Sequence, residues 1–483
     1  MLPMLRAFTT LRRRALLAVG LLAAAPQLPL RARPPGRSYR TRLLRRNHVM
    51  PTRNHDIRRR SVVALLAVAT VLALSASTST AASASSNVAM DWNRTMIGAL
   101  ETSHLPPPQS MRVGAIVQAS VFDALNGIEG RYTPIHVQPA APPGASRAAA
   151  VAGAAYEALV GLFPAQKPSF DLRLQTSLAQ ITDNPDNQSV ARGLAWGENV
   201  ADQILAWRAT DGLTAVLPPY VPSGPPGRWA PTPPGFGPPL FRQFAAMTPW
   251  AMTSPGQFVP PPPPPLSSSQ YANDLNEVET VGSASAPSTV RSAWQTETAI
   301  FWQSDTPVAI WDRTADDLIE ASDMPLTQSV RLLARMNVAM ADAVISIWNA
   351  KNVYDTWRPI TAIQQAGTDG NPDTTPDPSW TPLLTTPAFQ EYPSGHAGVS
   401  RAGAGELAAV FGNDTAFTLT AFGLPGVERN FTNFSAAVNQ VSLARIWAGI
   451  HFRFACDAAV QMGAQIVEYV NDNVAIPVHG PNR

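Results

Sequence analysis

Eighteen of the chain's 47 prolines fall between Pro218 and Pro265, six of them consecutive from Pro260, and this confines where regular structure can form. Proline lacks a backbone donor and clashes with the preceding helical turn. The stretch therefore reads as a long extended excursion. Trp229, Phe236, Phe241, Phe244, Trp250 and Phe258 are interspersed along it, which predicts packing onto the protein rather than free suspension. On both sides the pattern changes to alanine-rich helical spacing. Before the prolines stand SMRVGAIVQASVFDALNGI, SRAAAVAGAAYEALVGLF and SVARGLAWGENVADQILAWRA; after them, the run from Tyr271 and LTQSVRLLARMNVAMADAVISIWNA. Strand-like alternation is scarce. The expectation is an all-α chain with helical regions at 85–216 and 271–483, separated by a proline-rich excursion at 217–270. A weak echo links the two regions: Arg112 and Asp123 stand eleven apart before an alanine, as do Arg331 and Asp342. Duplicated bundles and chance likeness between alanine-rich helices both account for it.

The apolar share of 45% against 14% charged residues is ample for a sizeable core. The net charge of +2 conceals an asymmetry. Residues 1–60 hold 15 Arg, no Lys and one acid, Asp56, so that stretch carries +14 and the remainder −12. An acidic folded part argues against a nucleic-acid-binding surface. The single cysteine, Cys456, excludes an intrachain disulfide framework and reads as a small buried residue.

The N-terminus carries two export-like signals in series. An Arg cluster precedes ALLAVGLLAAA within residues 1–30. From Met50 the pattern repeats more fully: Arg58-Arg59-Arg60, then SVVALLAVATVLALSA, then Ala82-Ser83-Ala84. A basic region, an apolar region of this length and a small-residue cleavage site compose a signal peptide. On this reading residues 1–49 are an upstream extension, residues 50–84 the signal peptide, and the mature protein is secreted, to the periplasm or the exterior. The apolar run is short for a membrane span, so no stable span is expected in the mature chain; an uncleaved anchor is the alternative.

Three segments near the C-terminus concentrate groups suited to holding an anion. AKNVYDTWRP offers Lys351 and Arg358, seven apart and near one face if helical. Lys351 is one of only two lysines. A movable ammonium and a planar guanidinium fork both donate to oxyanions, although a solvated basic helix end has the same composition. EYPSGH places Ser394, Gly395 and His396 before a helical run, where free N–H groups and the dipole favour an anion. Gly395 admits close backbone approach, and the competing reading is a plain serine cap. ARIWAGIHFRF offers Arg445 and His451, about 120° apart on an ideal helix, or a structural histidine. Of the five histidines outside the leader, two sit in segments that also supply an oxyanion donor.

As a set, K-x6-RP, PSGH and R-x5-H resemble the phosphatidic acid phosphatase type 2/vanadium haloperoxidase superfamily. Trp302-Gln303-Ser304-Asp305, Trp348 three before Lys351, Phe389 seven before His396, and the proline-rich lead into LNEVETVG resemble its vanadium chloroperoxidase branch. The likeness covers most of Val88–Val474. It implies an all-α fold of helical bundles and a vanadate cofactor. In that frame His451 bonds vanadium, while Lys351, Arg358, Ser394, Gly395 and Arg445 hold the oxygens. His396 is the acid–base catalyst, Lys351 polarises bound hydrogen peroxide, and Asp305 tunes His396 or pairs with Arg445. Trp348 and Phe389 shape a halide pocket or are core aromatics. The partners implied are hydrogen peroxide and a halide or small organic substrate.

Two departures stand out. The serine that usually precedes the third-motif arginine is Ala444, and an aspartate expected four positions after the catalytic histidine is Ala455, with Asp457 two further on. In phosphatase members that aspartate orients the nucleophilic histidine, so its loss favours the vanadate branch. A secreted acid phosphatase acting through a phosphohistidine at His451, and a non-catalytic oxyanion-binding or surface protein, are the rival readings.

Overall fold

The alanine-rich spacing forms helices throughout. In this computed structural model the described residues are 87–478, apart from 139, 182–185, 223 and 225. The expected upstream extension and signal peptide lie outside them. The first helical region contains α1 (Val88–Ser103), α2 (Pro107–Glu129), α3 (Arg147–Leu162), α4 (Lys167–Ala179) and α5 (Asn187–Arg208). The second contains α6 (Ser269–Gly282), α7 (Ala293–Phe301), α8 (Pro307–Ala321), α9 (Leu326–Tyr354), α10 (Pro359–Gln364), α11 (Gly395–Phe411), α12 (Phe434–Trp447) and α13 (Arg453–Asn473). Local chemistry sets many starts: Ser146, Asp186, Ser268, Thr306 and Asn433 each accept a first-turn N–H, and Ser292 forms a capping box with Gln295.

Two bundles share one compact unit. Helix α2 packs on α3 and α5, α9 packs on α11 and α13, and α2 and α9 pack on each other. The close contact of α3 with α5 needs small residues: a Cβ on Gly197 would lie 2.1 Å from the Ala150 carbonyl oxygen. The changes in composition at 216/217 and 270/271 are therefore changes of texture within one body.

The sequence echo has a structural counterpart. Asp123 and Asp342 each stand sixteen residues past the first residue of α2 and α9. Asp123 accepts the N–H groups of Ile135, His136 and Val137, all at 2.8 Å. Asp342 accepts those of Trp250, Ala251 and Met252 at 2.7–2.9 Å. In each bundle a buried carboxylate thus anchors three consecutive amides of an irregular segment.

The excursion packs on the protein, as its aromatics suggest. Trp229 and Phe244 are buried, and Asn349 donates to the Ala245 carbonyl at 2.9 Å. One element went unforeseen: a hairpin of β1 (Phe417–Thr420) and β2 (Glu428–Phe431), antiparallel with Phe417 opposite Phe431. Four-residue strands with only two buried positions each leave too short an alternation to read from sequence. Among the described residues no single helix is long and apolar enough to cross a membrane, although the bent pair Arg147–Leu162 and Pro164–Ala179 passes together by length and composition.

Helices α1, α2, α8 and α9 meet around a buried polar cluster. Gln118 donates to Asn93, Asn93 to the Asp312 carbonyl, and Asn337 to the Asp312 carboxylate. Asp312 Oδ2 and both carboxylate oxygens of Asp316 have no hydrogen-bond partner, and the Arg94 Nε lies 3.7 Å from Asp316. Burial raises Asp312 to about 7 and Asp316 to about 8, above the usual carboxylate range. A raised folded-state pKa means the native state binds the proton more tightly, so this contribution to stability is lost as pH rises from about 4 to 8. Asp316→Asn is expected to gain stability relative to the parent across that interval, on the order of 5 kcal/mol at pH 8 as an upper bound. Urea unfolding of both proteins at pH 5 and pH 8 measures the difference.

Candidate anion site

The three cage segments converge, though from different elements than simple periodicity implies. Lys351 lies in the last turn of α9. That helix ends at Tyr354, and Asp355 takes a left-handed conformation (φ 50°) with its N–H on the Lys351 carbonyl. Arg358 sits beyond the break, immediately before Pro359 opens α10. The expectation that Lys351 and Arg358 share one helical face is thus corrected: a turn separates them. Trp229 N–H donates to the Asp355 carbonyl and Trp357 N–H to that of Gly227, so the proline-rich segment holds the turn in place. Tyr220 and Gln390 donate to the Asp355 carboxylate.

Ser394 occupies the N-cap of α11, yet its hydroxyl makes no capping bond. Arg445 ends α12. The chain then turns at Gly449 (φ 76°), where a Cβ would lie 2.5 Å from the Gly282 carbonyl oxygen. His451 follows, just before α13. The ideal-helix angle between Arg445 and His451 does not apply, because Gly449 breaks the helix between them.

Backbone carbonyls hold much of the cage. Lys351 Nζ donates to the carbonyls of Gln390 (2.7 Å) and Glu391 (2.9 Å), and lies 5.3 Å from the Phe389 ring centroid. Arg358 donates to the carbonyls of Phe389 (2.7 Å) and Ile450 (2.8 Å). Arg445 donates to Gln303 Oε1 at 2.7 Å. Arg358 Nη2, Arg445 Nε and Nη1, and Ser394 Oγ are buried and without hydrogen-bond partners. Such groups are costly to bury unless something accepts from them.

Two contacts determine the form of His451. Its Nδ1 lies 2.8 Å from Glu391 Oε1, which also accepts the Phe452 N–H at 3.0 Å. Its Nε2 lies 3.2 Å from Arg358 Nη1. A guanidinium cannot accept a hydrogen bond, so Nε2 carries the lone pair and Nδ1 the proton. Burial, reinforced by Arg358, Lys351 and Arg445, holds His451 well below the usual histidine range. His396 is held low by desolvation, then by Arg445, Arg358 and Lys351. Burial brings Arg358 down to about 9 and Arg445 to about 10, and holds Lys351 well below its ordinary value. The same desolvation lifts Glu391 to about 7. Three cations faced by one carboxylate make a pocket whose charge is complementary to an anion.

Gly395 and His396 are partly exposed, whereas the other cage residues are buried. A Cβ on Gly395 would reach the Trp348 ring at 3.7 Å, an ordinary contact, so protein packing alone does not demand glycine there. Trp348 and Phe389 pair with ring centroids 5.1 Å apart. Trp348 also packs on Phe241 and Phe244, joining cage wall to core.

Asp305 requires a correction. Its carboxylate accepts from Arg313 and from the N–H groups of Thr306 and Phe422, and the Arg445 side chain is held by Gln303 instead. Two site residues were missed from sequence. Gln303 lies inside the quoted Trp302–Asp305 run without a role. Glu391 had a usable signal: it is the only Asp, Glu, Lys or Arg between Asp377 and Arg401. A cavity of about 660 Å³ opens elsewhere, between α11, α12 and α13; Cys456 lines it, while the cage cations do not.

Residues 331–480 match the family model for the VCPO second helical-bundle domain. The vanadium chloroperoxidase of Curvularia inaequalis is 32% identical over 155 residues, 26% of this chain and 25% of the relative; the chain thus spans about a quarter of that curated relative. The crystal structure of a bacterial vanadium-dependent iodoperoxidase superposes with a TM-score of 0.70 at 25% identity, covering 82% of this chain and 98% of that one. A holo-type bacterial vanadium-dependent chloroperoxidase gives a TM-score of 0.61 at 16% identity over 76% and 91%, a likeness of fold.

Because Gln303 is neutral, Arg445 keeps its full charge for an anion. Gln303→Glu is expected to weaken binding of inorganic phosphate about tenfold by introducing a competing carboxylate. Calorimetric titration of both proteins with phosphate measures this.

Proposed function

Because the chain belongs to the vanadium haloperoxidase/phosphatidic acid phosphatase type 2-like superfamily, we propose that it is an exported vanadate-dependent haloperoxidase. It takes hydrogen peroxide, a halide and a proton to hypohalous acid and water. The observation that carries this reading is the set of four unpartnered buried donors beside a histidine lone pair. Export rests on the Arg-rich leader and its apolar run.

The donor set fits vanadate: three cations, a hydroxyl and one neutral imidazole suit a metal carried as an oxyanion. Bound vanadate supplies a Lewis-acidic centre that activates peroxide without changing oxidation state. His451 Nε2, with its lone pair free of a proton, is the atom that would hold the metal. Arg358, Arg445, the Ser394 hydroxyl and the Gly395 N–H neutralise and orient the oxygens. Lys351 is anchored through two of its three N–H groups, and the third would donate to the oxyanion. His396, partly exposed and neutral, would relay from solvent the proton that each turnover consumes. The rings of Trp348 and Phe389 offer an apolar, polarisable wall to a halide.

A second reading, phosphomonoester hydrolysis by the same cage, draws support from Glu391. Ala455 counted against it, since the orienting aspartate is absent there. With Glu391 on His451 Nδ1, that objection loses its force. His451 would attack phosphorus and His396 would protonate the leaving alcohol.

The purified protein is expected to halogenate a phenolic dye with hydrogen peroxide and iodide or bromide only when orthovanadate is present. His451→Ala is expected to abolish this turnover. Halogenation independent of vanadate, or full activity in the His451 variant, would overturn the proposal. Release of p-nitrophenol from its phosphate ester, blocked by vanadate and without halogenation, would favour the second reading.

A further inference from the structure

We infer that Glu391 is the positioning residue for His451, supplying from the second motif the carboxylate that the family pattern expects from the third. It rests on the reading above only in taking His451 as the group that meets the oxyanion.

The expected place is closed to this task. Ala455 is buried without a polar side chain, and its carbonyl accepts the Ser394 N–H at 3.0 Å. Asp457 is exposed, beside Arg453 and Glu277. Glu391, in contrast, is buried with one oxygen against His451 Nδ1 and the Phe452 N–H. Two donors converging on Oε1 fix where that oxygen lies. The residue's own carbonyl is held by Lys351, so its backbone is tied to the cage floor.

The consequence is directional. Nδ1–H bonded to a carboxylate commits the ring to one tautomer and one rotation, with Nε2 aimed at Arg358 and the cage. A carboxylate behind an imidazole also makes the opposite nitrogen a better donor, the arrangement by which outer groups tune metal-bound histidines. Without Glu391 the buried ring could rotate or carry its proton on Nε2, where it would repel both Arg358 and an incoming metal centre.

The test uses the full chain, Glu391→Gln and Glu391→Ala, each checked for folding by circular dichroism. Two quantities are measured: the nitrogen-15 shifts of the His451 ring without any anion, and calorimetric affinities for orthovanadate and inorganic phosphate. In the parent, His451 is expected to show a protonated Nδ1 and a bare Nε2. Glu391→Gln keeps an oxygen facing both donors, so the tautomer should persist with affinity reduced about tenfold or less. Glu391→Ala should mix the tautomers and weaken vanadate by about 10- to 100-fold. A folded Glu391→Ala with unchanged tautomer and affinity would overturn the inference. So would a protonated Nε2 in the parent, which decides the matter even if the alanine variant does not fold. A parent with the expected tautomer that binds neither anion would sink the functional reading while leaving the positioning role intact.

Discussion

The site depends on the burial of three cations with too few carboxylates to match them. Lys351, Arg358 and Arg445 are each at most 1% exposed, and taking such charges out of water is costly unless polar groups replace the hydration. Main-chain carbonyls at Phe389, Gln390, Glu391 and Ile450 serve that purpose. Carbonyls offer dipoles without neutralising charge, so the positive potential survives burial. The requirement propagates outward. Free carbonyls exist only where the backbone leaves regular structure, and so the cage sits in irregular backbone around 389–391 and 448–452, framed by α9, α11, α12 and α13.

That dependence explains what could be read from the sequence. Helical texture, the proline-rich excursion and the three motifs are local patterns, and each lies where its pattern indicates. Ser394 is at a helix start. The rest is relational. Nothing local says that Arg445 will meet Gln303, 142 residues away, or that Asp305 will turn to Arg313. Glu391 stood in plain view in EYPSGH, but its partner is 60 residues on. The hairpin was hidden because four-residue strands carry too little periodicity, and Lys351 with Arg358 misled because a seven-residue spacing suits a helix that in fact ends between them.

The two bundles show how one scaffold comes to hold one site. Asp123 and Asp342 perform the same backbone anchoring at the same depth of their helices. Beyond that point the bundles diverge. Ser146 spends its hydroxyl capping α3 on the Ala149 N–H, whereas Ser394, starting α11, makes no capping bond. Nine residues after Asp123 stands Tyr132, against which Arg331 packs; nine after Asp342 stands Lys351. The first bundle shares the frame, and its α2 packs on α9 of the second.

The proline-rich excursion has a thermodynamic meaning beyond its contacts. Tyr354 and Tyr392, whose rings meet edge to face with centroids 5.3 Å apart, donate their hydroxyls to the carbonyls of Pro260 and Pro261. A chain laid over a surface ordinarily surrenders much conformational freedom. Consecutive prolines have little to surrender, because their φ is already restricted in the unfolded ensemble. They also bring acceptors without donors, so every carbonyl is available and no amide demands a partner. The two tyrosine hydroxyls, with Ser268 on the Pro265 carbonyl, thus hold a run whose stiffness the chain possesses before it folds.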